Sequence, residues 1–194
     1  NSSFYNGFGN PDTQQFGSNL SAQYAPGNPN GYPDKATSDG AIGMVTYSWN
    51  PSDDVMYYLK WSEGFRPGLL NRPVGRTSPD GSYTVPASID SDEITNYEFG
   101  WKAVLQDGQL RFNGSFFMVD VSGLQSTIFD PSIVNLFFSD NAADADIRGV
   151  EGDFMYFTED GLMLSGAFSF LDTEITKALV PTNDVIVGSE LAFA

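Results

Sequence analysis

The chain has 194 residues, 41% hydrophobic and 14% aromatic, with neither cysteine nor histidine, which excludes a disulfide framework, a thiolate nucleophile and a cysteine zinc site and removes the commonest general base. Nine Lys and Arg stand against 25 Asp and Glu, a net charge of −16, so nucleic acid, held mainly by cations on its phosphates, is not an expected partner. No apolar run approaches the roughly 18–20 residues of a membrane helix, and Asn1-Ser2-Ser3-Phe4-Tyr5 lacks the basic and apolar regions of a signal peptide.

Residues 1–40 are rich in Gly, Asn, Ser, Pro and Tyr without periodicity and read as a loop region. Alternation then begins. Val45, Tyr47 and Trp49 lead into the polar turn Asn50-Pro51-Ser52-Asp53-Asp54, and Val55, Tyr57, Leu59 and Trp61 return opposite Lys60 and Ser62. After a long connection over 66–90, Tyr97, Phe99, Trp101, Ala103 and Leu105 share one face, with Asn96, Glu98, Gly100 and Lys102 on the other. The turn Gln106-Asp107-Gly108 follows, then Leu110, Phe112, Phe116 and Met118 opposite Arg111, Asn113 and Ser115. A second connection covers 126–144. Val150, Phe154 and Tyr156 next oppose Glu151 and Asp153. The turn Thr158-Glu159-Asp160-Gly161 leads to Leu162, Leu164, Phe168 and Phe170, and a third connection starts at 177.

Six strands in three hairpins are therefore expected, with tight turns at one end and long polar connections at the other. Asp54, Asp107 and Asp160 mark those turns at equal intervals. The alternation persists for roughly 9–14 residues per strand, which matches an oblique bilayer crossing. Aromatic residues near the turns (Trp49, Tyr57, Trp101, Tyr156) suit an interfacial girdle. The expected fold is all-β: an antiparallel transmembrane β-barrel segment with short periplasmic turns and long extracellular loops. Six strands cannot close such a barrel, and an open sheet would leave unpaired edges in lipid. The chain is thus expected to be a piece of a larger barrel over 41–194, preceded by an extracellular loop region over 1–40. A soluble sandwich that packs the same apolar faces into a core is the rival fold.

Tyr57-Tyr58-Leu59-Lys60-Trp61-Ser62-Glu63-Gly64-Phe65-Arg66-Pro67-Gly68, followed by Asn71, resembles the barrel of TonB-dependent outer-membrane receptors, where a Tyr-rich strand ends in Gly-Phe-Arg/Lys-x-Gly. Three further stretches resemble that family in order: Asp92 to Lys102 with its Asn96-Tyr97-Glu98 centre, Leu110 to Asp120 with Gly123-Leu124-Gln125, and Asn141-Ala142-Ala143 with Ile147-Arg148-Gly149-Val150-Glu151. The resemblance covers residues 41–176. It implies the wall of a non-enzymatic transporter in the bacterial outer membrane that takes up an iron–siderophore, another metal chelate or an oligosaccharide. It also implies outer-membrane lipid and lipopolysaccharide as partners, and a TonB-type energy-coupling protein acting through an N-terminal region this chain lacks. A passive porin-like channel and a soluble, secreted β-rich binding module are the alternatives, and no cofactor is expected.

Candidate ligand contacts are Arg66, Asn71 and Arg72, with Arg76, beside the expected mouth. An Arg fork suits carboxylate or catecholate oxygens, although Arg66 paired with a neighbouring acid is the favoured reading. Asp140, Asp144 and Asp146, with Asn141, crowd one expected loop, and Asp90, Asp92 and Glu93 another. Oxygen-rich loops can hold calcium, or bridge cations to lipopolysaccharide, but neither has EF-hand spacing, so solvated acidic loops are favoured. Glu151 and Asp153, about 6.6 Å apart by strand rise, could form a glycosidase pair. A charged lumen lining explains them better. Glu98 and Lys102 are expected to join cross-strand salt bridges.

Overall fold

The computed structural model describes residues 37–71, 74–134, 137–181 and 186–191. The loop expected over 1–40 falls mostly on residues 1–36, and Arg72 is another candidate that lies outside the described residues. Six strands form one sheet: β1 (Met44–Ser52), β2 (Val55–Arg66), β3 (Asp92–Leu105), β4 (Leu110–Ile128), β5 (Phe138–Phe157) and β6 (Met163–Ala178). Their order in the sheet is their order in the chain, and every neighbour is antiparallel. It is a plain meander of three hairpins.

Each tight turn sits where local chemistry asks for it. Between β3 and β4, Gln106 and Asp107 both take left-handed φ (54° and 52°), and Gly108 N–H bonds back to Leu105 O at 3.2 Å. Gly108 is left-handed too (φ 91°) and Gln109 N–H bonds to Gln106 O at 3.1 Å, so four residues reverse the chain between the paired Leu105 and Leu110. Between β5 and β6, Gly161 has φ 81°, and Thr158 N–H closes on Leu162 O at 2.9 Å.

Register puts like residues side by side. Tyr47, Leu59, Phe99, Phe116, Val150 and Phe170 form one row across all six strands, and every member is apolar or aromatic. The next row toward the turns carries Trp49, Tyr57 and Trp101, then Gly114, Gly152 and Phe168. Trp49 stacks on Tyr57 at 5.9 Å and Tyr57 on Phe99 at 6.1 Å, while Trp101 meets Phe116 at 5.6 Å. In this band the glycines act as floors for rings from the neighbouring strand. A Cβ on Gly114 would sit 2.3 Å from the Trp101 ring, and one on Gly152 2.7 Å from Phe168.

No second layer covers this face among the described residues. Tyr47 is 66% exposed, Phe116 52% and Phe170 68%. The soluble-sandwich expectation needs those side chains to be the core, and they are not. The buried hydrophobic cluster lies instead at the opposite end from the turns, where Val85, Ile128, Ile133, Phe138, Ala142 and Val180 pack with Tyr83 and Val134. It draws on all three long connections or the strand ends beside them.

The strands at that end are longer than the alternation suggested. β4 has 19 residues and β5 has 20, about 65 Å each at strand rise, more than a bilayer's hydrocarbon needs. Much of the connection expected over 126–144 is therefore strand. Asp140, Asp144 and Asp146 lie on β5 and not in a loop. The polar composition there satisfies specific partners and does not break the strand.

Candidate functional site

At the loop end, the last residue of β2 and the first of β3 are paired: Arg66 opposite Asp92. Arg66 Nε donates to Asp92 Oδ2 at 2.7 Å and Nη2 to the same oxygen, while the Arg66 N–H reaches Oδ1 at 3.1 Å. Asp92 has no exposed surface and also accepts the Gln125 N–H at 3.3 Å. A second Nη2 bond runs to Gln125 O at 3.2 Å. Arg66 is thus held in an ion pair, and its guanidinium edge is turned to the protein's own carboxylate.

Burial alone would raise the Asp92 pKa, but the Arg66 guanidinium and the backbone N–H groups of Gln125 and Arg66 outweigh it and hold the carboxyl below the usual range. A depressed carboxylate stabilises the fold fully above its unfolded value and loses that contribution as pH falls through the folded value. Protease resistance of the 67–91 connection is therefore expected to persist as pH drops to the ordinary carboxylate range, near 4, and to be lost below it. Limited proteolysis in an acid series with an acid-active protease would check this. Loss of protection already between about pH 7 and 5, well above that range, would contradict the pairing.

Gln125 extends the lock. Its Nε2 lies 3.0 Å from both Pro67 O and Asp90 O. Asn141 accepts the Asp90 N–H at 2.8 Å and donates to Asp90 O at 3.0 Å and Gly123 O at 2.6 Å. Asn71 is only 3% exposed; its Oδ1 accepts the Ser139 N–H at 2.8 Å and its Nδ2 donates to Ser139 O. Each Asn amide therefore meets a backbone N–H and C=O as a neighbouring strand would. Asn71, expected as a ligand contact, is instead a buried fastener. Arg76 contributes its carbonyl to Val85 N–H at 2.8 Å.

The acidic residues considered for calcium go separate ways. Asp140 accepts the Tyr83 hydroxyl, whose pKa burial and Asp140 push well above the usual phenol range, so it remains a donor. Asp144 accepts the Gly123 N–H at 2.8 Å and faces Lys177 at 3.9 Å. Asp146 pairs with Arg148 at 2.9 Å. Asp140, Asp144 and Asp146 are thus each engaged by a different partner, and among the described residues no three His, Cys, Asp or Glu side chains converge to hold a metal ion.

The polar face of the strands is a wall of cross-strand pairs. Tyr58 donates to Glu98, and Lys60 faces Glu98 at 3.6 Å. Asn113 donates to Asp153 at 3.0 Å, and Ser115 lies 3.5 Å from Glu151. Glu98 thus joins a cross-strand salt bridge as expected, with Lys60 as its cation. Glu151 and Asp153 each take a neighbour's hydrogen bond in the same wall.

Sequence reasoning missed Gln125, Asn141 and Tyr83 as organisers of this end. Their partners lie 35, 51 and 57 residues away, so although Gln125 and Asn141 stand in family-like stretches, local spacing does not show what they hold.

The family described as TonB dependent receptor-like, beta-barrel, matches residues 12–194. Among solved structures, the ferric preacinetobactin receptor of Acinetobacter baumannii is similar, with 23% identity and a TM-score of 0.45. That match covers 69% of this chain and 18% of the receptor, so the matched part spans less than a fifth of that protein's length.

Proposed function

The chain belongs to the TonB-dependent receptor β-barrel family, a family of receptors and not of enzymes, and on that premise we propose that it is a sector of the wall of an outer-membrane transporter for a metal chelate, with an iron–siderophore as the first cargo to test. The apolar face would touch acyl chains and the polar face a water-filled lumen. The tight turns would lie in the periplasm, and the three long connections would border the vestibule where ligand enters. The remaining strands, a plug and the segment that engages a TonB-type protein would come from the rest of the polypeptide, since receptors of this type close about 22 strands.

The single observation that supports this best is the uninterrupted apolar row, over which no second layer lies among the described residues. On β4 the apolar face runs from Leu110 to Met118 and then meets Asp120. Eight residue steps make about 27 Å along the strand, or about 20 Å of height at a tilt near 40°, close to the roughly 25 Å apolar band of such barrels. Beyond it Glu63, Thr95, Asp120, Asp146 and Glu174 form a row that is wholly polar. The free edges of β1 and β6 would be costly in hydrocarbon, which is consistent with neighbours supplied by further strands.

The test is uptake of iron-55 by cells carrying the full-length protein, offered as ferric citrate and as ferric hydroxamate and catecholate complexes. Uptake of at least one complex that stops when an uncoupler collapses the proton-motive force is the expected result. Flux that ignores the uncoupler would replace the transporter by a porin-like channel.

A further inference from the structure

The β2–β3 connection (residues 67–91, of which 67–71 and 74–91 are described) is the longest link between successive strands, and a long connection beside a ligand entrance invites the idea of a mobile lid. Its bonding argues otherwise. Near its start Gln125 holds Pro67 O, and near its end the same side chain holds Asp90 O. Between them Asn71 clasps Ser139, and Tyr83 donates to Asp140. Asn141 takes both backbone groups of Asp90. Val85, 1% exposed, seals the middle against Ile128 and Phe138. Every fastener reaches β4 or β5, and a segment that opens easily shows few such buried contacts.

Asp92 is the pivot. It is the one acid among the largest fully buried side chains, and it joins the end of β2 to β4 through Arg66 and the Gln125 N–H. We propose that Asp92, Gln125 and Asn141 are positioning residues for ligand capture, which fix the β2–β3 connection to β4 and β5 as one rigid body so that this side of the vestibule is built before ligand arrives. This rests on the reading of the long connections as the vestibule. The three residues touch no ligand in this role; they set where the connection's exposed side chains stand.

The experiment uses the full-length receptor in lipid vesicles, with spin labels on cysteines introduced as Ser82→Cys in the connection and Ser126→Cys on β4. Double electron–electron resonance should give one narrow distance without any ligand. Asp92→Asn should lose that single peak and spread it, with the barrel's heat-modifiable migration on gels unchanged. Gln125→Ala, which keeps the Arg66–Asp92 ion pair but releases Pro67 O and Asp90 O, should do the same if Asp92→Asn fails to insert. A broad distribution in the unsubstituted protein, or a narrow one retained in Gln125→Ala, would overturn the proposal. The distance judges the positioning role alone, while the uptake assay judges transport, so the two can fail separately.

Discussion

On the proposed orientation, with this face toward lipid, Phe116→Arg is expected to destabilise the inserted barrel by about 2–4 kcal/mol, the cost of a cation near the bilayer midplane. Phe116 sits in the middle of the apolar row between Phe99 and Val150, and its ring also meets Trp101 at 5.6 Å. Loss of that ring pair adds about 0.5–1.5 kcal/mol. Asn113→Arg makes the contrast. Asn113 lies on the opposite face of the same strand and already donates to Asp153 at 3.0 Å, so an Arg there gains a partner and should stay within about 0.5 kcal/mol of the unsubstituted protein. Equilibrium urea unfolding of the full-length receptor from lipid vesicles would measure both. Equal tolerance of Arg at the two positions would mean the faces do not see different solvents.

Gly114→Val should be the other severe change, for a reason independent of lipid. A Cβ at Gly114 would lie 2.3 Å from Trp101 Cζ2 and 2.9 Å from the Glu151 carbonyl oxygen. The ring can swing away, but the carbonyl belongs to the paired backbone of β5 and cannot. Overpacking of this kind typically costs about 1–3 kcal/mol, and here register on both sides of β4 is at stake. Gly64→Ala is the control: nothing lies within 4 Å of its Cβ position, so that change should be neutral or slightly stabilising, as for most glycines in regular strands. Adding Trp101→Leu to Gly114→Ala should recover the part due to the ring and leave the part due to the carbonyl. Full recovery in the same unfolding assay would show that the ring alone demands glycine.

Period-two alternation and turn chemistry made the hairpins legible before any coordinates. Asp53-Asp54, Gln106-Asp107 and Asp160-Gly161 mark the three turns where they occur, because each stretch has the polar or Gly residues a tight reversal favours. The faces were legible too, since strand residues two apart must share a side. What failed was composition as a guide to the outer ends. Asp140, Asn141 and Asp144 look like loop residues, yet they are strand residues whose side chains bind Tyr83, Asp90 and Gly123. Asn71 looked like a ligand contact because it stands beside Gly-Phe-Arg-Pro-Gly, but its partner, Ser139, is 68 residues away. Arg66 was correctly suspected of serving a neighbouring acid, because with 25 Asp and Glu against nine Lys and Arg a cation has many carboxylates within reach. Side chain–backbone bonds across the sheet have no periodicity, and the register that brings them together emerges only when all six strands are placed.

The central claim concerns which solvent each face meets, and it can be read residue by residue. Single spin labels placed in turn from Leu110 to Asp120 in the full-length receptor in bilayers report collisions with molecular oxygen, which favours hydrocarbon, and with a water-soluble nickel chelate. The expected record alternates with period two: oxygen maxima at Phe112, Phe116 and Met118, nickel maxima at Arg111 and Asn113, and a switch to nickel at Asp120. Labels at Phe112 and Phe116 that meet nickel as freely as those at Arg111 and Asn113 would contradict it.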